Sequence, residues 1–389
     1  MKSGVFFAMR ILVIAPTAFY NHYGCHIRIM GHLRGLQARG HRVRLVTYPV
    51  GQDATGIPTH RAPLPGLRHI PVGSSRRKII LDAILTPTAL ATALRFQPDI
   101  IHAYLHEGVL IGWLLAGLLR VPLSFDYQGS LTAEMIAHNF LHPDSLWHPW
   151  LQRLEHWLDQ RPRAIFASTG RAITELADRG IPLERLHHLP DAVDPALFHP
   201  QSRDQALART LQLNPAIPTI VYLGLLAPYQ GIDLLLQAIA RLRIPAQFLI
   251  MGFPYVQRYR QMAAELGIDA HIRFTGPIPY QSAPQRLALG DLAIAPKLNT
   301  TEGSGKLLPY MSMGLPVIAT DTPAHRQYLG DWGLYAAPEP DDLARTIAQA
   351  ILQLPEVRPR GQHLRDLVLA HYTWDHSTTQ MESILRNML

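Results

Sequence analysis

The chain has 389 residues, of which 48% are hydrophobic and 17% charged, and a formal charge of +7. This length predicts two to three domains of roughly 150 residues each, and the apolar content excludes a disordered or fibrous chain. The single cysteine, Cys25, excludes a disulfide scaffold and a cysteine-rich metal site. The positive charge admits nucleic acid, an anionic membrane or phosphate-bearing ligands without choosing among them. Only Lys2, Lys78, Lys297 and Lys306 are lysines, so each stands out in a chain that otherwise uses arginine. The most apolar run, Val109 to Leu119, has about eleven residues against the roughly twenty of a spanning helix, so no membrane span is expected. The first nine residues are too short for a signal peptide, and the fold is expected to begin near Met9. A cytoplasmic enzyme is the default expectation.

The first half alternates short apolar runs with amphipathic stretches. Strands are predicted at Ile11–Ala15, Val43–Thr47, Ile100–His102, Leu123–Phe125 and Ala164–Ala167. Helical periods occupy 24–39, 79–96, 107–119, 149–159 and 170–179. The second half starts the pattern afresh. Its strands are predicted at Thr219–Leu223, Gln247–Met251, Ile272–Phe274, Leu292–Ala295 and Pro316–Thr320, and its helices at 231–242, 255–266, 306–313 and 341–354. Strands alternating with helices imply α/β domains with parallel sheets and right-handed crossovers. The expected organisation is two doubly wound, Rossmann-like domains, 9–195 and 219–371. A proline-rich linker at 196–218 joins them, and the ligand is expected at the carboxyl ends of the strands, in a cleft between the domains.

Three loops carry candidate chemistry. Tyr23-Gly24-Cys25 leads from the first strand into a helix whose N–H groups could face an anion. Gly224 to Gly231-Ile-Asp233 joins a strand to a helix in the second domain. The third runs from Thr301 through Glu302, Gly303, Ser304, Gly305 and Lys306 to Leu307, where two glycines and a lysine open a helix. Backbone N–H groups and Lys306 together suit a diphosphate, and Glu302 suits sugar hydroxyls. The plain alternative is a helix start in which Glu302 pairs with Lys306 at i+4.

Taken in order, these segments resemble family-4 glycosyltransferases of the GT-B architecture. The resemblance is carried by the Gly24 loop with Gly40-His41-Arg-Val43, by Pro98-Asp-Ile-Ile-His102 and by Leu189-Pro-Asp-Ala-Val-Asp194 with Phe198-His-Pro200. Tyr222-Leu-Gly224 with Gln230-Gly-Ile-Asp233, and Glu302 to Thr320, complete it. It implies transfer of a sugar from a UDP- or GDP-sugar to a glycan or lipid-linked acceptor, with retention, without a metal or prosthetic group. It also implies a last helix, 372–389, that crosses back to the first domain. Donor-side positions would be Gly24, Gly224, Tyr229, Gln230, Gly252, Ile278, Lys297, Gly303, Ser304, Gly305, Lys306 and Leu307. Glu302, Gln128 and Lys306 would be catalytic, and Tyr23, His106, Asp126, Tyr127 and Glu134 would meet the acceptor.

Several positions depart from the family pattern. Leu225 and Gln230 stand where an arginine and a lysine usually neutralise the diphosphate. Glu302 is one place off the first of two glutamates, and Pro309 replaces the second. Gln128-Gly129 stands where a histidine often precedes glycine. Each lost cation removes charge-assisted bonds worth roughly 1.5–3 kcal/mol, which Lys306, and secondarily Lys297 or Arg28, would have to supply. These changes keep two alternatives open: a non-catalytic relative that binds a sugar nucleotide or a partner, and a sugar-nucleotide epimerase. A nucleic-acid protein is disfavoured by scattered arginines without interleaved aromatics. The histidines, including His187-His188, lack metal-site spacing, and His102 reads as structural. The stretch Ser74-Ser-Arg76-Arg77-Lys78 before Ile79-Ile-Leu81 is basic then apolar. It reads either as contact with an anionic membrane or as a loop before a core helix.

Overall fold

The computed structural model describes residues 7–19, 24–53, 56–64, 66–67, 70, 76–137, 140–298 and 303–389. The chain forms two compact units, one of residues 1–190 with 374–389 and the other of residues 191–373.

The first unit opens with β1 (Arg10–Ala15), α1 (Gly24–Ala38), β2 (Arg42–Thr47) and β3 (Thr59–Arg61). There follow α2 (Arg76–Phe96), β4 (Ile100–Tyr104), α3 (Leu105–Leu119), β5 (Leu123–Tyr127) and α4 (Leu131–Ala137). Then come α5 (His148–Asp159), β6 (Ala164–Ala167), α6 (Gly170–Asp178) and β7 (Leu186–His188). Its sheet is fully parallel in the order β3-β2-β1-β4-β5-β6-β7. Parallel strands need crossover helices, which cover both faces and require apolar residues on both sides of each strand. The near-continuous burial of β1, β4 and β5 follows from that.

The second unit contains α7 (Gln205–Thr210), β8 (Thr219–Leu223), α8 (Ile232–Arg241), β9 (Gln247–Met251), α9 (Val256–Glu265) and β10 (Ile272–Gly276). It continues with α10 (Ala283–Leu287), β11 (Leu292–Ala295), α11 (Leu307–Ser312), β12 (Val317–Thr320) and α12 (Pro323–Leu329), then β13 (Leu334–Ala336), α13 (Pro340–Leu352) and α14 (Leu354–His371). The sheet is again parallel, in the order β10-β9-β8-β11-β12-β13. Residues 196–218, read from their prolines as a linker, are instead part of this unit. Phe198, Ala208 and Leu213 enter its core beside Val221 and Leu289.

The last helix, α15 (Trp374–Arg386), belongs to the first unit and lies on α1. Its seat is made by two glycines. A β-carbon at Gly31 would lie 2.2 Å from the Trp374 ring, and one at Gly35 2.3 Å from Thr378 Cγ2.

One expectation needs correction. Lys78–Phe96 is 19 residues of mean hydropathy 1.5, long and apolar enough to cross a membrane by length and composition. Asp82, four polar threonine and arginine side chains and Pro87 interrupt the run by eye, whereas the average over the helix is apolar. In the structure Leu81, Leu85, Ala89, Ala93 and Phe96 of α2 line up at helical spacing and pack into the core of the first unit.

Candidate functional site

In the second sheet, β8 and β11 are neighbours from which the chain winds outward in opposite directions. A crevice opens outside the carboxyl ends of such strands. The loops that leave β8, β9 and β11 meet there, backbone against backbone. A β-carbon on Gly231, where φ is 75°, would lie 1.8 Å from the Pro296 carbonyl oxygen. One on Gly252 would lie 1.9 Å from the carbonyl oxygen of Gly224. No other residue fits either place, so Gly252, expected on the donor side, and Gly231, the end of the second candidate loop, are both required by the packing of this crevice.

Lys306 enters the same crevice. It directly precedes α11, rather than lying one turn inside it. Its ammonium donates to Gln230 Oε1 and to the Tyr222 hydroxyl at 3.3 Å, and stands 4.9 Å from the centre of the Tyr222 ring. Gln230 is buried, so its amide oxygen is aimed rather than solvated. Tyr222 in turn donates to the Leu225 carbonyl at 2.7 Å. A β-carbon on Gly224 would be 3.5 Å from Lys306 Nζ, which brings the cation to the backbone at the end of β8. The residue in place of the usual lysine, Gln230, therefore positions a lysine supplied by another loop. The amide oxygen of Gln230 and the Tyr222 ring thus fix where the Lys306 ammonium stands.

Lys297 is only 3% exposed and donates to the Gly303 carbonyl at 2.9 Å, while its own carbonyl accepts from Thr320 Oγ1 at 2.6 Å. It shapes the loop rather than lending its charge to open space. Ser304 is buried 3.1 Å from His325 Nε2. His325 Nδ1 donates to the Thr320 carbonyl at 2.7 Å, which leaves Nε2 to accept from the Ser304 hydroxyl. Burial, with Lys306 and Lys297 nearby, lowers the His325 pKa to about 4, so the ring is neutral. A β-carbon on Gly305 would stand 2.8 Å from Asp191 Oδ2. Leu307 is in the core and can offer only backbone, Ile278 is half-buried against the same core, and Tyr229 is exposed with its carbonyl accepting from Leu298 N at 3.0 Å. Tyr222, Asp191 and His325 were missed by sequence reasoning. Tyr222 reads as an ordinary strand residue, and nothing near His325 signals the Ser304 contact. Asp191 and Tyr222 carried a signal only as members of Leu189-Pro-Asp-Ala-Val-Asp194 and Tyr222-Leu-Gly224.

In the first unit the expected acceptor side chains are largely interior. Asp126 is buried, and Arg28 forks it through Nε at 2.9 Å and Nη2 at 2.9 Å. Burial would raise the Asp126 pKa, but the Arg28 charge holds it below the usual carboxylate range. Arg28, only 4% exposed, also donates to the Leu189 carbonyl at 2.9 Å, so it is a structural cation and not a substitute for the missing diphosphate ligands. His106 is buried, with Nε2 3.1 Å from Asp159 Oδ1, and Tyr127 is packed beside the His106 and Phe125 rings. These three expectations are corrected because β5 is an inner strand with helices on both sides, so its side chains and those beneath α3 turn inward. Gln128 is half-buried and donates to Asp126 Oδ1 at 3.3 Å, Glu134 on α4 is half-buried, and Gly24 opens α1 at the surface. Tyr23 and Glu302 lie outside the described residues, as do Ser74 and Ser75 of the basic stretch.

Tertiary structure also brings together two groups whose ligand atoms are close enough for a cation, His32–His102–Asp126 and His106–Glu155–Asp159. Sequence spacing missed them because the first draws on α1, β4 and β5, and the second joins His106 of α3 to Glu155 and Asp159 of α5. A positive side chain already occupies each: Arg28 on Asp126, and Arg179 on Glu155 at 2.8 Å and Asp159 at 3.4 Å. His102 is structural, with Nδ1 2.8 Å from Ser124 Oγ, and burial lowers its pKa to about 4.

Comparisons with known proteins find matches for both units of the chain. Residues 24–192 match the glycosyl transferase 4-like domain, and residues 217–355 match glycosyl transferases group 1. The chain is 27% identical over 220 residues to a GDP-mannose-dependent alpha-(1-6)-phosphatidylinositol monomannoside mannosyltransferase of Mycobacterium tuberculosis, covering 53% of this chain. It spans only 57% of that relative's length. It is 27% identical over 333 residues to a D-inositol 3-phosphate glycosyltransferase of Jonesia denitrificans, covering 77% of this chain and 74% of the relative. Among solved structures, sucrose-phosphate synthase from Thermosynechococcus elongatus shares the fold with a TM-score of 0.82 at 18% identity, over 98% of this chain and 99% of that one. Anabaena Alr3699/HepE in complex with UDP-glucose does so with a TM-score of 0.76 at 16% identity, over 97% and 100%.

Proposed function

Because the chain belongs to the family-4-like glycosyltransferases of GT-B architecture, we propose that it transfers a sugar from a UDP- or GDP-sugar to a glycan or lipid-linked acceptor, with retention at the anomeric carbon. The observation that carries this reading is Lys306, held by Gln230 and Tyr222 against the Gly224 backbone at the carboxyl end of β8. A diphosphate leaving group gains negative charge as the glycosidic bond breaks. A preorganised ammonium at that place stabilises the departing charge more than the ground state, which is what accelerates transfer. In a front-face retaining reaction the leaving phosphate takes the acceptor proton, so no protein base is required. Gln128, tethered to Asp126, would orient a hydroxyl and not deprotonate it. Ser304, fixed by a neutral His325, and Gly303, fixed by Lys297, would set the loop against the donor, with Glu302 on the sugar hydroxyls.

Named relatives support the donor class. One is a GDP-mannose-dependent mannosyltransferase, and a structural neighbour was solved with UDP-glucose. The reaction proposed here uses no metal and takes place in the cytoplasm.

A thermal-shift screen against UDP, GDP, ADP and their common sugars tests the reading. A ligand that binds only the folded state raises the melting temperature by mass action. A shift with one nucleotide and its sugar, followed by slow hydrolysis of that sugar, is the expected result. A well-folded sample that shifts with none would overturn it. Clear binding without turnover or hydrolysis would favour the non-catalytic relative, the reading that Leu225 and Gln230 at the usual cation positions motivate. Glu302→Ala is expected to reduce turnover more than the melting temperature, and equal losses would make Glu302 a structural carboxylate.

A further inference from the structure

The largest feature that the donor site leaves unexplained is an apolar face on the first unit. Of the twenty-one large hydrophobic side chains exposed among the described residues, eleven fall between residues 79 and 150. On α3 the inward side is His106, Val109, Ile111, Leu115 and Ala116, as the core demands. The outward side is Leu110, Trp113, Leu114, Gly117 and Leu118, which is apolar as well. On the neighbouring α2 the outward positions Ile79, Ile80, Ala83, Pro87, Ala91 and Leu94 repeat the pattern. A surface helix should be polar on its solvent side, and a helix apolar all round is normally buried in protein or lipid. The sequence between Ile79 and Leu94 holds one charged residue, Asp82, whose carboxylate accepts from the Tyr48 hydroxyl at 2.6 Å and is turned to the interior.

The borders of the face differ in chemistry from its middle. On the α5 side, Trp113 meets Trp157 edge to face at 4.8 Å, and Trp147 meets Trp150 at 6.4 Å. Leu146 and Trp147, before α5, are 96% and 68% exposed. Arg95 ends α2, Arg120 follows α3, Arg153 is exposed on α5, and Lys78 lies in the first turn of α2. The acids nearby are fewer, Glu107 at the start of α3 and Asp144 in the loop before α5.

We infer that the outward face of α2, α3 and the start of α5 docks the protein peripherally on a bilayer surface that carries anionic lipid. A protein partner would need hydrogen bonds across the contact, about one per 100–200 Å². The outward stripes of α2 and α3 offer almost none. A bilayer asks for none in its apolar layer, favours tryptophan at the boundary and attracts arginine and lysine at the headgroups. Lys78, which ends the basic stretch, thereby becomes one corner of a larger surface. The inference goes beyond the donor reading and does not depend on it, though a lipid-linked acceptor would be reached from such a surface.

Flotation of the purified full chain with vesicles tests it. Binding is expected to vesicles of phosphatidylcholine mixed with phosphatidylglycerol, more weakly to phosphatidylcholine alone, and to weaken in added salt. Leu114→Glu with Leu118→Glu should lower the vesicle-bound fraction by roughly tenfold or more, since two leucines lose their burial in lipid. The melting temperature should hold, because both side chains already face outward. If that pair fails to fold, Trp147→Ser with Trp150→Ser is the second test. Wild-type protein that floats with neither vesicle would overturn the inference. So would variants that float like wild type, or a wild-type dimer that the substitutions convert to monomer, which would assign the face to a second copy. Nucleotide thermal shifts on the same samples test the donor reading, so either can fail alone.

Discussion

Arg28 in the first unit and Lys306 in the second were both candidates to replace the lost diphosphate ligands, and their surroundings separate them. Arg28 is buried and forked onto the carboxylate of Asp126. Lys306 is held by an amide oxygen and a tyrosine face beside bare glycine backbone. A buried cation matched by a buried anion is neutralised, and its bonds serve the fold. At Lys306 the groups described around the cation are neutral dipoles, which set its place beside the Gly224 backbone. Presence of a cation near a strand end is therefore not enough, and the group that faces it decides its use.

The comparison breaks most visibly at Asp126. Asp126→Ala leaves Arg28 buried and unmatched, and is expected to cost about 3–5 kcal/mol in urea denaturation. A loss below about 1 kcal/mol would mean that the guanidinium reaches solvent, reopening it as a ligand group. Lys306→Ala should weaken nucleotide affinity at least tenfold, about 1.4 kcal/mol, with little change in melting temperature. Calorimetric titration reads the first quantity, and unchanged affinity would remove Lys306 from the site.

His106 offers a pH test of the same principle. Burial lowers its pKa, but the Asp159 hydrogen bond and charge, with Glu155 and Glu107, carry it above the ordinary value. Since the folded pKa is raised, the stabilisation is complete below the unfolded pKa of about 6.5 and is lost as pH rises through the folded value. His106→Gln should therefore destabilise by about 1 kcal/mol or more at pH 6 and by less at pH 9. A cost independent of pH would show a neutral ring. The smallest effect is expected at Gln230→Ala, a few-fold loss of nucleotide affinity as Lys306 loses one of its holders. If affinity rises instead, Gln230 competes with the ligand for the lysine.

Much of the fold was legible because inner parallel strands are apolar throughout and their helices are long enough to show a period. The three-residue strands β3, β7 and β13 were not, and all three are sheet edges. Each pairs along only three residues with the strand before it, too short a run to show a pattern of its own. The short helices α4, α7, α10 and α12 escaped for the same want of length. Gly224, Gly231 and Lys306 stand out in the candidate loops and Gly252 only through the resemblance, and the structure brings the four to one crevice. On the acceptor side, the residue types at His106, Asp126 and Tyr127 suggested ligand contact, yet the structure turns all three inward.

By itself, the amino-acid order determined the α/β class, the two sheets' inner strands and the family, since each rests on local periodicity or on motifs in series. Only the tertiary structure decided that Arg28 is matched and Lys306 positioned, that residues 196–218 are core rather than linker, and that α2 and α3 are apolar on both sides. Charge pairing and exposure depend on what lies opposite a side chain, and that neighbour comes from a distant part of the chain.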